Sequence, residues 1–107
     1  MAKEQYPWYY YFAGSDFEWD PAKNDANQQK HQVSFEEAQY AFSDIKCIIA
    51  VDIAHNSSEA RYYCFGNING EIITVRFTYR NKKIRIFGAG YWRKGKKIYE
   101  EKNTIHG

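Results

Sequence analysis

Eight cations and no carboxylate stand between residues 80 and 97: Arg80, Lys82, Lys83, Arg85, Arg93, Lys94, Lys96 and Lys97, with Phe87, Tyr91 and Trp92 set among them. Cationic side chains neutralise phosphates and aromatic faces take unpaired bases, so the segment suits a polyanion with stackable bases. A charge run alone reads equally well as a solvated face. The net charge of +2 conceals a division, because residues 1–60 carry four Lys/Arg against ten Asp/Glu and residues 61–107 carry eleven against three. Other chemistries lack their residues. His31, His55, Cys47 and Cys64 show no C-x-x-C or H-x-x-x-H spacing of a metal site. The glycines at 88, 90 and 95 are not followed by the Gly-Lys-Ser/Thr of a phosphate loop, so no nucleotide cofactor is implied, and no other cofactor either. No serine or cysteine has an identifiable base partner.

The elements that must position these side chains come from a chain of 107 residues and 44% hydrophobic content, enough for one core and one domain. That domain is expected over 16–103, after an aromatic extension at 1–15 and before a frayed tail at 104–107. No apolar run approaches the roughly 20 residues that cross a bilayer, so the chain reads as cytoplasmic with no membrane partner, and Cys47 and Cys64 as buried thiols. Tyr6–Phe12 holds six aromatics in seven positions, read as an added strand or a partner surface.

Asp20-Pro21 marks a helix start, since Asp accepts a free backbone N–H and Pro at the first helical position sacrifices no hydrogen bond. The helix should reach His31, packing through Ala22 and Ala26 and leaving Lys23, Asn24, Asn27 and Lys30 in water. Ser34-Phe35-Glu36-Glu37 starts a second helix with a buried stripe of Phe35, Ala38, Ala41 and Phe42. Four strands follow as a meander over Cys47–Ile53, Arg61–Asn67, Glu71–Tyr79 and Ile84–Phe87, with hairpin turns at Asn69-Gly70 and Asn81-Lys82. The third alternates: Ile73, Val75, Phe77 and Tyr79 on one face, Ile72, Thr74, Arg76, Thr78 and Arg80 on the other. Lys94–Glu101 reads as a short helix or a loop, interrupted by Gly88, Gly90 and Gly95.

Phe17-Glu18-Trp19-Asp20-Pro21-Ala22-Lys23, Asn27, Lys30-His31 and Val33-Ser34-Phe35-Glu36-Glu37-Ala38 together resemble the opening signature of the BrnT toxins of bacterial type II toxin–antitoxin pairs. Asp52, His55, Glu59, Arg61, Gly66, Ile84-Arg85-Ile86 and Tyr99-Glu100 continue the likeness, which covers about residues 16–101. Three departures stand out: Gln32 where the family usually has Gly, Phe87-Gly88-Ala89-Gly90 for Ile-Ser-Ala-Arg, and Lys96-Lys97 where many relatives have Glu-Arg.

The resemblance implies an α+β, RelE-like fold with two N-terminal helices packed on an antiparallel sheet of about four to five strands and a short C-terminal helix or loop. It implies a metal-independent endoribonuclease that cleaves mRNA and inhibits translation until a BrnA-like ribbon-helix-helix antitoxin binds it in a hetero-oligomer. Attack by the RNA's own 2′-hydroxyl needs a base, cations around the phosphorane and an acid. Arg61, Glu59, His31 and Arg93 are the catalytic candidates. Arg76, Arg80, Arg85, Tyr91, Trp92, Lys94, Lys96 and Lys97 are candidates for holding RNA, and Lys23, His55 and Tyr99 are further family positions. Two rival readings are an inactive RNA- or antitoxin-binding module with the same fold, and a regulator that binds proteins through its aromatic extension. An antitoxin covering this surface needs acidic and apolar residues.

Overall fold

The computed structural model describes Phe12, Gly14–His55 and Glu59–His106, the side chains of His55, Ile105 and His106 excepted. A five-stranded sheet runs in the order β1-β5-β4-β3-β2. Its strands are β1 (Asp16–Trp19), β2 (Ile48–Val51), β3 (Tyr62–Ile68), β4 (Glu71–Arg80) and β5 (Lys83–Gly90). The helices are α1 (Pro21–His31), α2 (Phe35–Ala38), which continues as a 3-10 turn over Gln39–Ser43, and α3 (Arg93–His106).

Both N-terminal helix starts hold. Asp20 accepts the Ala22 N–H at 2.9 Å, and Ser34 accepts the Glu37 N–H at 3.0 Å. Gln32 ends α1 at φ 58°, so the left-handed cap is kept without glycine. Strands β2 to β5 form the expected meander, and Asn69-Gly70 and Asn81-Lys82 take positive φ at all four positions.

Three expectations are corrected. The sheet is mixed, because β1 pairs parallel with β5 from Asp16↔Lys83 to Trp19↔Ile86. The expected C-terminal helix is present but long: α3 is a 14-residue element, and Gly95 lies within it. A Cβ at Gly95 would overlap Thr74 Oγ1 and crowd the Phe65 ring, so this glycine lets the helix lie close on the sheet rather than interrupting it. Finally, α1 buries Asn24 and Asn27 and exposes Ala22 and Ala26. Its buried contact with the sheet is by hydrogen bond. Asn27 donates to Ala89 O at 2.9 Å and accepts the Ala89 N–H at 3.2 Å, satisfying the edge of β5 as a neighbouring strand would, and also donates to Val33 O at 2.9 Å. Asn24 Oδ1 accepts the Phe35 N–H at 2.8 Å.

One sheet face is the core. Cys64, Ile73, Val75, Phe77, Ile84, Ile86 and Ala89 pack there against Val33, Phe35, Ala38, Ala41 and Phe42. Phe12 joins this core edge-to-face with Phe42, Phe77 and Tyr79, while residues 1–11 and 13 of the aromatic extension lie outside the described residues. Cys47 and Cys64 are buried free thiols, and burial, followed by contact with Cys47, pushes the Cys64 thiol well up. Among the described residues no helix is long and apolar enough to cross a membrane.

Candidate nucleic-acid interface

The register arranges the other face of the sheet in rows. One row, Ile48–Phe65–Thr74–Gly90, lies under α3 and Trp92. The next is Ala50–Tyr63–Arg76–Gly88. Beyond it Thr78 faces Arg85, and Arg61 leads into β3 beside them. Thr78 Oγ1 donates to Ala60 O at 2.6 Å, and Arg61 O accepts the Asp52 N–H at 2.8 Å, which fixes the chain entering β3.

A single irregularity sets the chemistry of this face. Arg76 is opposite Gly88 but Phe77 is opposite Ile86, so Phe87 is an extra residue in β5. The bulge keeps Ile86 and Ala89 in the core while the Phe87 ring stays on the outer face. The Arg61 guanidinium lies over that ring at 4.6 Å, and Lys23 Nζ reaches it from α1 at 5.7 Å. A Cβ at Gly88 would meet the Arg76 guanidinium at 3.9 Å. Lys23, Arg61 and Arg76 therefore gather around Phe87 and Gly88, and among the described residues none has a carboxylate at ion-pair distance. Two outer cations do. Arg80 meets Glu59 at 3.4 Å, and Arg85 meets Glu18 of β1 at 3.6 Å.

The remaining sequence candidates lie elsewhere on the same side or do structural work. His31 closes α1 with its ring edge-to-face on Trp92 at 5.0 Å, roughly 12 Å along the helix from Lys23. Tyr91 donates to Glu37 at 2.6 Å; burial first and that carboxylate second raise its phenol well above the ordinary range, so it stays protonated at neutral pH. Arg93 and Lys96 line a cleft with Tyr91, Trp92 and Glu71. Lys94 stands at an apolar groove, and Lys97 is exposed on α3. Tyr99 is buried and donates to Asp44 at 2.6 Å, tying α3 to the chain before β2. His55 ends the 3-10 turn Ile53–His55, and its side chain lies outside the described residues.

Sequence reasoning did not single out Phe87 as the centre of the cluster. The available signal was the break in alternation, since Ile84, Ile86 and Ala89 cannot share one face of a regular strand. At Gly90, where the resembling family offers an arginine, a Cβ would fall within 2.6 Å of the Trp92 ring.

Comparison with protein families matches residues 19–95 to the one described as ribonuclease toxin, BrnT, of type II toxin-antitoxin system. No match is found among curated proteins.

Proposed function

Because this chain belongs to the BrnT family of type II toxin–antitoxin ribonuclease toxins, we propose that Lys23, Arg61 and Arg76 hold the scissile phosphate of an mRNA. In this reading the protein is a metal-independent endoribonuclease that inhibits translation until a BrnA-like antitoxin binds it. The observation that carries it is the convergence of two cations over one aromatic ring with a third beside the neighbouring Gly88, all free of carboxylate partners among the described residues. A guanidinium held over a ring is already oriented and partly desolvated, so it gains most when a phosphorane gathers charge beside it. Phe87 is half-buried, and in this reading its exposed part supports a flanking base. In this reading Glu59, two residues before Arg61 and paired with Arg80, takes the proton of the 2′-hydroxyl and returns one to the leaving 5′-oxygen, whereas His31, beside Trp92 and roughly 12 Å along α1 from Lys23, is not within proton-transfer reach of that phosphate. Arg93, Lys94, Lys96 and Lys97 extend the positive potential along the RNA, with Arg80 and Arg85 held in reserve by their carboxylates.

One observation favours a second reading, an inactive RNA- or antitoxin-binding module: the Trp92 ring packs over Gly90, where the resemblance implies an arginine for RNA. Purified chain, freed of antitoxin and mixed with mRNA in EDTA, separates the two. Cleavage that Arg61→Ala loses supports the nuclease. RNA binding without cleavage, with or without ribosomes, overturns it in favour of the module.

A further inference from the structure

We propose that the antitoxin docks by adding an extended segment of alternating aliphatic and acidic side chains to the edge of β2 that no other described strand pairs. The proposal rests on the toxin–antitoxin reading and names the surface and partner chemistry that it leaves open. Among the described residues β2 pairs only with β3. Asp52 N–H donates toward β3, to Arg61 O, so by strand alternation the N–H and C=O of Ala50 and Ile48 face β3 as well. Those of Ile49 and Val51 then point away from the sheet, presenting two donors and two acceptors to a further strand.

Beside this edge runs an apolar groove of about 510 Å³, walled by Ala50, Tyr63, Phe65, Lys94 and Ile98, with Val51 at its rim. Its aliphatic character continues at the end of β2 and beyond it, where Val51 is 52% exposed and Ile53 85% exposed. Tyr63, Phe65 and Trp92 in the lining offer ring faces on which bases stack, but the exposed aliphatic side chains of Val51 and Ile53 offer a base nothing, whereas a strand places every second side chain along such a surface and gains main-chain hydrogen bonds as well. Charge fixes the other half of the partner's chemistry. Lys94 stands in the groove wall, Lys97 is exposed on the same helix, and Arg76 is directly across the ladder from the lining residue Tyr63. Acidic side chains alternating with the aliphatic ones meet these cations. An occupant would thereby close the approach to Arg76 and Arg61 and silence the site without entering it.

Amide hydrogen exchange on the full chain, alone and bound to the product of the reading frame adjoining its own, tests the proposal. The Ile49 and Val51 amides are expected to exchange quickly in the free chain and at least about 100-fold more slowly in the complex. Val51→Pro removes an edge donor without touching the β3 ladder and should weaken the complex at least about 10-fold, with RNA cleavage by the free chain unchanged. Val51→Thr, which keeps the donor, should bind to within about 3-fold, and Lys94→Glu should weaken binding even if the proline variant misfolds. A complex in which both amides exchange as in the free chain overturns the proposal. Protection already present in the free chain with a dimer in sedimentation overturns it in favour of a second copy, and protection by RNA overturns it in favour of the substrate. A neighbour's product that does not bind overturns it together with the antitoxin reading. Edge protection by a partner on a chain that cuts no RNA supports it and fails the nuclease reading alone.

Discussion

Two pairs of arginines share the outer face of the sheet. Arg80 and Arg85 each face a carboxylate, whereas Arg61 and Arg76 gather with Lys23 around Phe87 and Gly88. The first pair is neutralised within the fold, and an exposed ion pair of this kind contributes little to stability. The second pair leaves positive potential focused on one spot of a half-buried surface, where a phosphate supplies the missing counter-charge. The same residue type thus serves two ends, and the difference lies in what stands next to it.

Breaking this contrast begins with its strongest member. Arg61→Ala should lower RNA cleavage about 100-fold and flatten the salt dependence of RNA binding by about one phosphate contact. A rate within a factor of about 2 of the parent places the site elsewhere. Asn27→Leu attacks the mooring that carries Lys23 over Phe87. It leaves the Ala89 N–H and two carbonyls without partners, so about 2 kcal/mol should be lost in urea unfolding with the m-value unchanged. Phe87→Leu keeps an apolar residue at the bulge but removes the π-face. About a 10-fold loss in cleavage, with the melting temperature little changed, is expected, and equal activity would show that the ring is only filler.

Sharpening the contrast runs the other way. Glu18→Gln should release Arg85 into the free set, raising RNA affinity about 2-fold at low salt and steepening the salt slope. The smallest effect concerns Tyr91. Its acid form is favoured by burial and by Glu37, so its contribution to stability is fully present below the ordinary tyrosine range and is lost only as pH rises through the raised value. Between about pH 6 and about pH 9 the pH–rate profile of Tyr91→Phe should therefore superimpose on the parent's, whereas a lost alkaline limb would make Tyr91 the acid.

Much of the fold was legible because its signals are local. Asp20, Ser34, Asn69-Gly70 and Asn81-Lys82 act within a few residues of themselves, and Phe35, Ala38, Ala41 and Phe42 share a stripe that survives the change from α to 3-10 helix. What escaped depends on partners distant in sequence. Four residues of β1 carry too little alternation to announce a parallel pairing with β5. Asn24 and Asn27 read as wet because polarity is a poor guide when the surface to be covered is itself backbone amide and carbonyl. Gly95 read as an interruption because a sequence does not show how closely a helix must approach a sheet. The site was legible as a set of cations and illegible as a partition among them, since Glu18 and Glu59 choose their arginines through the ladder.

The bulge in β5 also bears on how such a protein loses its potency. Were Phe87 absent, Ile84, Ile86 and Ala89 would still alternate into the core, and Gly88 would still face Arg76. On the function proposed above, the residue that anchors the chemistry is the one the architecture can spare. Loss of a single codon would then disarm the chain and leave a folded decoy able to titrate its antidote, a route to harmless alleles that no core mutation provides.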